Sequence, residues 1–241
     1  MRKQVQLSER LQAVVELVTK GKSVADVGCD HAYISIYMIE QGIAEHVIAM
    51  DVNRGPLQRA KENIQKYAMQ DKIETRLSDG IKELKKREVH TVLIAGMGGP
   101  LMQQILLGNP SVLEDVEELI LQPQSEIADV RRFLEQISFQ IEKENMVFED
   151  GKYYVMMRAR RSSQVEPMKK EIQYRYGQYL IEHKNPILSQ YLHKECRQLE
   201  QIQDKLKYQD SEKGKQKIKE LQKDITYCKE ALSYYECGTD Y

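Results

Sequence analysis

Acidic residues recur at equivalent places in the first third of this chain. Asp26-Val27-Gly28-Cys29-Asp30-His31-Ala32-Tyr33 leaves one apolar run, Asp51 ends a second, and Ser78-Asp79-Gly80 follows a third strand-like stretch. Ala95-Gly96-Met97-Gly98-Gly99-Pro100 closes a fourth. A glycine just past a strand lets the backbone approach a ligand, and N–H groups opening the next helix can meet an acceptor. A dinucleotide fingerprint would need glycines at 28, 30 and 33, but Asp30 and Tyr33 stand at the last two. A carboxylate facing a pyrophosphate argues against a dehydrogenase. Carboxylates on both sides of the turn, Asp26 and Asp30, suit a ligand bearing an ammonium group. S-adenosylmethionine bears an ammonium and a sulfonium. Asp51 lies 25 residues beyond Asp26, the span of strand, helix and strand, where a carboxylate can accept both hydroxyls of a ribose. Asp79 can accept from an adenine amino group. Each aspartate alone serves equally well as a helix cap or turn residue; three at successive strand ends point to a ligand.

The elements that must hold these residues alternate. Residues 23–28, 46–51, 72–77, 91–95 and 119–121 read as strands, and 32–41, 55–67 and 130–136 as helices. Such alternation with short links is the pattern of right-handed βαβ units on a parallel sheet. Residues 139–148 and 152–160 are strand-like runs joined by Glu149-Asp150-Gly151, and Asp-Gly between such runs signals a hairpin. The expected fold is an α/β, Rossmann-like sheet that ends in an antiparallel hairpin.

The texture changes after residue 163, so two domains are expected, 1–163 and 164–241. A helix over 168–184 is stopped by Asn185-Pro186. Leu188, Leu192, Leu199, Ile202 and Leu206 keep a heptad-like spacing that Glu195 interrupts, and Ile218, Leu221, Ile225, Cys228, Leu232 and Tyr235 alternate three and four. With the polar turn 209–214 between them, they predict an α-helical antiparallel coiled coil.

Composition bounds the possible partners. The 241 residues carry 36 Lys and Arg against 37 Asp and Glu, a formal net charge of -1. A generally cationic nucleic-acid coat is excluded, while a local basic face is not. No apolar run approaches the roughly 20 residues of a membrane span, and the N-terminus lacks a signal-peptide pattern. Cys29, Cys196, Cys228 and Cys237 include no CxxC pair, and neither they nor the His residues form a metal-ligand cluster. A reduced, cytoplasmic, metal-free protein is expected, a monomer by preference.

Leu7-Ser8-Glu9-Arg10-Leu11, Asp26–Tyr33 and Ala95-Gly96-Met97-Gly98-Gly99 together resemble the bacterial tRNA (adenine-N1)-methyltransferases that act on adenine 22. The likeness runs from about residue 7 to 160, and the helical tail fits that family's C-terminal domain. It implies a class I methyltransferase fold, S-adenosylmethionine as cofactor and tRNA as partner. On that basis Asp26, Gly28, Asp30, His31, Asp51, Val52, Asp79, Gly80, Ala95 and Gly96 are expected at the cofactor. Arg10, His31, Tyr33 and Gly99 are expected at the substrate, and Asp30, Met97 and Gly98 at the chemical step.

Several roles stay open at this point. Asp30 either stabilises the cationic adenine product or holds the cofactor's ammonium. His31 either hydrogen-bonds a base or phosphate or caps the turn. Met97 either packs on base or cofactor or fills the core, and the glycines around it could simply make a tight turn. Arg2, Lys3, Arg10, the Lys82/Lys85/Lys86/Arg87 group, Arg158/Arg160/Arg161 and Lys213/Lys215/Lys217/Lys219 are candidate phosphate contacts. Competing expectations are a small-molecule or protein methyltransferase on the same fold, and a non-catalytic adaptor that binds through its coiled coil.

Overall fold

The structure, a computed structural model, describes residues 4–206 and 212–236. Two compact units result, Met1–Glu166 and Pro167–Tyr241. The first contains α1 (Glu9–Val15), β1 (Lys22–Val27), α2 (Tyr33–Glu40), β2 (Ala44–Asp51), α3 (Arg54–Lys66), β3 (Ile73–Leu77), β4 (Thr91–Met97), α4 (Gly99–Leu107), α5 (Pro110–Leu113), β5 (Glu118–Pro123), α6 (Ile127–Gln136), β6 (Phe139–Glu149) and β7 (Lys152–Arg161).

The seven strands form one sheet in the order β3-β2-β1-β4-β5-β7-β6. β1 to β5 run parallel, and β7 inserts antiparallel between β5 and β6. Strands covered on both faces are expected to be continuously apolar, and every residue of β5 is buried. The chain winds outward from β1 to β3, then crosses to β4 on the other side of β1. That reversal opens a crevice at the carboxyl ends of β1 and β4. The hairpin turns through Asp150 (φ 50°) and Gly151 (φ 78°), the left-handed pair that an Asp-Gly turn adopts.

Three helices lie where the sequence pattern shows none. Ser8 caps α1, its Oγ accepting from the Leu11 N–H at 3.4 Å. α4 and α5 fill the stretch between β4 and β5. Asn109 caps α5 by accepting from Val112 N–H at 3.3 Å, with Pro110 in the first turn.

Two polar clusters sit inside this unit. Glu118, 2% exposed, accepts from the Thr19 N–H (3.1 Å) and Thr91 Oγ1 (3.0 Å) and so ties the chain before β1 to β4 and β5. Arg131 of α6 and Glu144 of β6 form an ion pair at 2.8 Å with both side chains fully buried. It locks the helix onto the hairpin.

The second unit is helical: α7 (Glu171–Tyr176), α8 (Gln178–Glu182), α9 (Pro186–Leu206) and α10 (Glu212–Glu236). The single helix expected over 168–184 is two, because Gly177 (φ 92°, ψ 119°) leaves helical geometry between them. Asn185-Pro186 opens α9 as well as closing α8, since Asn185 Oδ1 accepts from the N–H groups of Ile187 and Leu188. Leu188, Leu192 and Cys196 of α9 and Leu221, Ile225 and Cys228 of α10 are buried, and Cys228 Sγ donates to the Leu192 carbonyl at 3.2 Å. Cys196 is buried although the spacing passes over it. Ile202, which the spacing puts on the seam, is 45% exposed, and Ala231 is buried beside the half-buried Leu232. Residues 209–211 of the expected 209–214 turn, and Cys237, lie outside the described residues, while 212–214 already belong to α10.

Arg131→Met leaves a carboxylate buried without its ion pair. Breaking such a pair from one side costs about 3–5 kcal/mol, which corresponds to a fall in unfolding temperature on the order of 10 °C. Calorimetry of the intact chain measures it. The double variant Arg131→Met/Glu144→Leu, which removes both charges, should regain most of the loss.

Candidate active site

The carboxyl ends of β1, β2, β3 and β4 frame a cleft of about 310 Å³. Gly28, Asp51, Val52, Asp79, Gly80, Ala95, Gly96 and Met97, all singled out in the sequence, line it. Asn53, Ser78, Leu101 and Ile105 line it too. Polar groups and carboxylates thus face an apolar wall supplied largely by α4.

The turn after β1 is held by its neighbour. The N–H groups of Gly28 and Cys29 both donate to the Met50 carbonyl, at 2.8 and 3.0 Å. Gly28 has φ 77°, and a Cβ there would lie 2.2 Å from the Met97 side chain, so Met97 covers this glycine as part of the cleft wall. Asp30 (φ 35°) and Ala32 (φ 57°) are also left-handed, a local cost of about 1 kcal/mol or more each.

Asp26 does not line the cleft. It is 2% exposed, and its carboxylate accepts from Ser35 Oγ at 2.6 Å. Burial pushes its pKa up to about 6 against the lowering effect of Ser35. Its role in the geometry is to join β1 to the first turn of α2. Asp30 does not line the cleft either; its side chain is 62% exposed and paired with Arg59 at 3.2 Å and His31 at 3.8 Å. The His31 ring stacks on Tyr33 with centroids 5.6 Å apart, while its carbonyl accepts from Asn63. Burial pushes the Cys29 thiol up, aided by the nearby Asp26 and Asp51, so no thiolate nucleophile forms there.

Asp51 Oδ1 accepts from the Asn53 N–H at 2.8 Å. Its other oxygen takes no hydrogen bond among the described residues and remains an acceptor for the cleft. Buried Ser78 donates to the Gly80 carbonyl at 2.7 Å and accepts from the Glu83 N–H, which fixes the turn that presents Asp79. Asp79 itself pairs with Lys82. Gly80 (φ 65°) lies against Ile105, where a Cβ would come within 2.9 Å.

At the end of β4 the ladder breaks. Ala95 pairs with Gln122 and Met97 with Pro123, so Gly96 is bulged out between them. A bulged residue loses its ladder partner. Here the Gly96 N–H donates instead to Gln122 Oε1 at 3.1 Å. The same oxygen accepts from Arg10 Nη1 at 2.7 Å. Gln122, fully buried, was not singled out in the sequence. A lone amide directly after the apolar run 119–121 is the signal that could have found it.

Gly98 and Gly99 do not line the cleft. Gly98 caps α4, and Gly99 is buried where a Cβ would lie 2.7 Å from the Ser125 carbonyl and 2.9 Å from Val130. Gly99 is small because the 125–126 backbone and Val130 leave no room for a side chain. Tyr33 borders a separate hollow with Gln4, Val5, Gln6 and Tyr67.

The basic candidates divide. Arg158 pairs with Glu142, and Arg160 with Glu118 and Glu142. Arg161 donates to the Val116 and Leu113 carbonyls and lies over Phe139. These three are engaged within the first unit. Lys82 and Arg87 pair with Asp79 and Asp115, and Lys217 with Glu220. Arg2, Lys3 and the Lys213 side chain lie outside the described residues. Among the described residues no group of three His, Cys, Asp or Glu could hold a metal ion, and no helix is long and apolar enough to cross a membrane.

A parallel sheet with this strand order, one inserted antiparallel strand and a glycine-cornered cleft at its carboxyl edge is the Rossmann-like methyltransferase fold. Residues 24–230 match the family described as TrmK, tRNA (adenine(22)-N(1))-methyltransferase, and the chain belongs to it. The tRNA (adenine(22)-N(1))-methyltransferase of Bacillus subtilis is 31% identical over 235 residues, covering 96% of this chain and 99% of the relative. Sp1610 of Streptococcus pneumoniae, solved in complex with S-adenosyl-L-methionine, is 32% identical with a TM-score of 0.83. That likeness covers 94% of this chain and 100% of the other. M. capricolum TrmK, solved with S-adenosyl-homocysteine, is 25% identical with a TM-score of 0.82, over 95% and 98% of the two chains.

The raised pKa of Asp26 makes stability depend on pH. An aspartate held above its unfolded value favours folding at low pH, and that contribution is lost as pH rises through the folded value. For Asp26 the window runs from about 4 to about 6. Asp26→Asn, which keeps an acceptor for Ser35 but cannot ionise, should therefore gain stability relative to the parent as pH is raised from 4 to 7. Denaturant unfolding at the two pH values checks the sign.

Proposed function

We propose that this chain transfers a methyl group from S-adenosyl-L-methionine to N1 of adenine 22 in tRNA. The observation that carries the reading is the cleft, in which a free oxygen of Asp51, the Asp79 turn and the Gly28 corner converge beneath a bulged glycine turn. These residues fit the cofactor by the chemistry of their donors and acceptors. Asp51 would accept the ribose hydroxyls, Asp79 and the Ser78–Gly80 turn would meet the adenine, and Val52, Leu101 and Ile105 would enclose it. The cofactor supplies an electrophilic methyl group on a sulfonium.

The chain's own residues have modest chemical work to do. Adenine N1 already presents a lone pair, so no residue needs to remove a proton before transfer. Alignment and exclusion of water are the main tasks. Enzymes of this fold that methylate exocyclic amines place Asn/Asp-Pro-Pro-Tyr/Phe after the fourth strand. Here that place is Ala95-Gly96-Met97-Gly98, which offers no side-chain amide to grip an amine and leaves backbone and Met97 facing the base. Asp30 can stabilise charge on the ring, but Arg59 shares that charge and solvent screens it.

The target base lies within a folded RNA and must be extruded to reach the cleft. His31 and Tyr33 stack on each other beside the separate hollow that Tyr33 borders, where an unpaired base could join them. The second unit, read as an antiparallel coiled coil, would serve as an arm for the rest of the tRNA. The same reading places the enzyme in the cytoplasm as a monomer.

An unmodified tRNA transcript with adenine at 22, its G22 variant and methyl-labelled cofactor test the proposal. Nucleoside mass spectrometry should find 1-methyladenosine from the first and none from the second. N6-methyladenosine would overturn the N1 assignment, and no labelled nucleoside at all would overturn the reading as a whole and favour a non-tRNA substrate. In the same assay Asp51→Ala should weaken cofactor binding about tenfold or more, the worth of charge-assisted hydrogen bonds. Asp30→Asn should leave that affinity unchanged and lower single-turnover rate by less than about tenfold, well short of the 100–1,000-fold cost of losing a buried electrostatic partner.

A further inference from the structure

Arg10 is an unusual cation in this unit. Its guanidinium makes no ion pair among the described residues. One nitrogen donates to the neutral Gln122 amide at 2.7 Å, and the group lies 5.2 Å over the Tyr154 ring. Glu149 is near, but it accepts from the Arg10 backbone N–H at 3.1 Å and not from the guanidinium. Arg76, Arg131 and Arg160 all have carboxylate partners. Arg10 is held just as firmly, but by groups that leave its charge uncancelled.

Its position matters. A side chain added at Gly96 would lie 3.8 Å from Arg10 Nη1, so the guanidinium stands over the bulge at the edge of the cleft. Gln122 spends its single oxygen on both the Gly96 N–H and Arg10, and its Nε2 donates to the Pro123 carbonyl at 3.2 Å. The amide is therefore fully committed. A glutamate in its place would make the same two accepting bonds but would pair with Arg10 as an ion.

We propose that Gln122 is a positioning residue that aims Arg10 at the mouth of the cleft while leaving its positive charge free, which makes Arg10 the receptor for an oxyanion of the bound reactants. This rests on the methyltransferase reading above. Two oxyanions qualify, a phosphate of the tRNA backbone beside the extruded adenosine and the carboxylate of the cofactor's amino-acid end. Both are recognised by the fork of donors a guanidinium presents.

Gln122→Glu separates this role from a structural one. A merely structural Gln122 needs its acceptor oxygen and its N–H donor to Pro123; glutamate keeps the first and loses the second, so a structural role alone would lower the unfolding temperature of the variant and leave its tRNA salt slope and cofactor affinity as in the parent. If the free charge is what matters, Gln122→Glu should resemble Arg10→Ala. With a phosphate target, tRNA affinity falls about tenfold in both and the slope of log affinity against log salt drops by about one contact, with cofactor affinity unchanged. With a carboxylate target, S-adenosylhomocysteine affinity falls about tenfold in both by calorimetry, with the tRNA salt slope unchanged. In either case adding Gln122→Glu to Arg10→Ala should cause no further loss. Parental tRNA salt slope and cofactor affinity in folded Gln122→Glu overturn the proposal. Should that variant fail to fold, parental tRNA salt dependence together with parental cofactor affinity in Arg10→Ala overturns it equally. Methylation of adenine 22 by the parent, measured alongside, tests the underlying reading separately.

Discussion

One backbone N–H organises the reactive end of this molecule. Gly96 is bulged out of the ladder between β4 and β5, and an N–H left unpaired beside a buried strand costs about 1–3 kcal/mol. Gln122 removes that cost from within the neighbouring strand. Because the acceptor is a side chain rather than a ladder carbonyl, β4 can diverge from β5 and still be held. That divergence gives Met97 its place over Gly28 and starts α4 at Gly98, the helix that supplies the apolar wall. The ladder resumes at once on the far side, where the Gln124 N–H donates to the Met97 carbonyl at 2.9 Å.

The rest of the first unit makes this bulge affordable by being rigid. β5 is buried along its whole length, and Glu118 at its start gathers the chain before β1 together with β4. The buried Arg131–Glu144 pair and Arg161 fix α6 and the β6–β7 hairpin against the far side. Most arginines of this half are thereby committed to carboxylates or carbonyls.

Much of this was legible in the sequence, for identifiable reasons. Apolar runs ended by Gly or Asp mark β1 and β2 because inner parallel strands are covered on both faces and must stop abruptly at the ligand edge, whereas the half-exposed edge strand β3 is marked mainly by the Ser78-Asp79-Gly80 turn that follows it. Asp150-Gly151 marks the hairpin because few other pairs accept two left-handed residues. The cleft residues followed from the same logic, since Gly28, Asp51, Asp79 and Gly96 all sit at strand ends. Less legible were residues whose role depends on the far side of a contact. Asp26 and Asp30 look alike in sequence, but strand periodicity carries one under α2 against Ser35 and the turn carries the other out to Arg59. Gly99 looks like its neighbours, and only the 125–126 backbone shows why it is small. In the helical unit, spacing placed Ile202 on the seam, while burial shifts to Cys196 and Ala231. A heptad count does not register which side of the helix the partner occupies.

The composition of the site also accords with the chemistry proposed for it. A reaction that begins from an existing lone pair needs no strong base, and none is assembled here. Asp26 has its acceptor oxygen engaged by Ser35, Asp30 is shared with Arg59, and Cys29 is held as a thiol. What is tightly controlled is shape. Glycines at 28, 80 and 96 take left-handed backbone, and the first two are pressed against Met97 and Ile105. Their absent side chains define the cleft as surely as the present ones do. Chemistry that depends on alignment can be entrusted to backbone and to a methionine, provided the backbone cannot shift. The Gln122 amide, joined to Gly96, Arg10 and Pro123 at once, is what holds it.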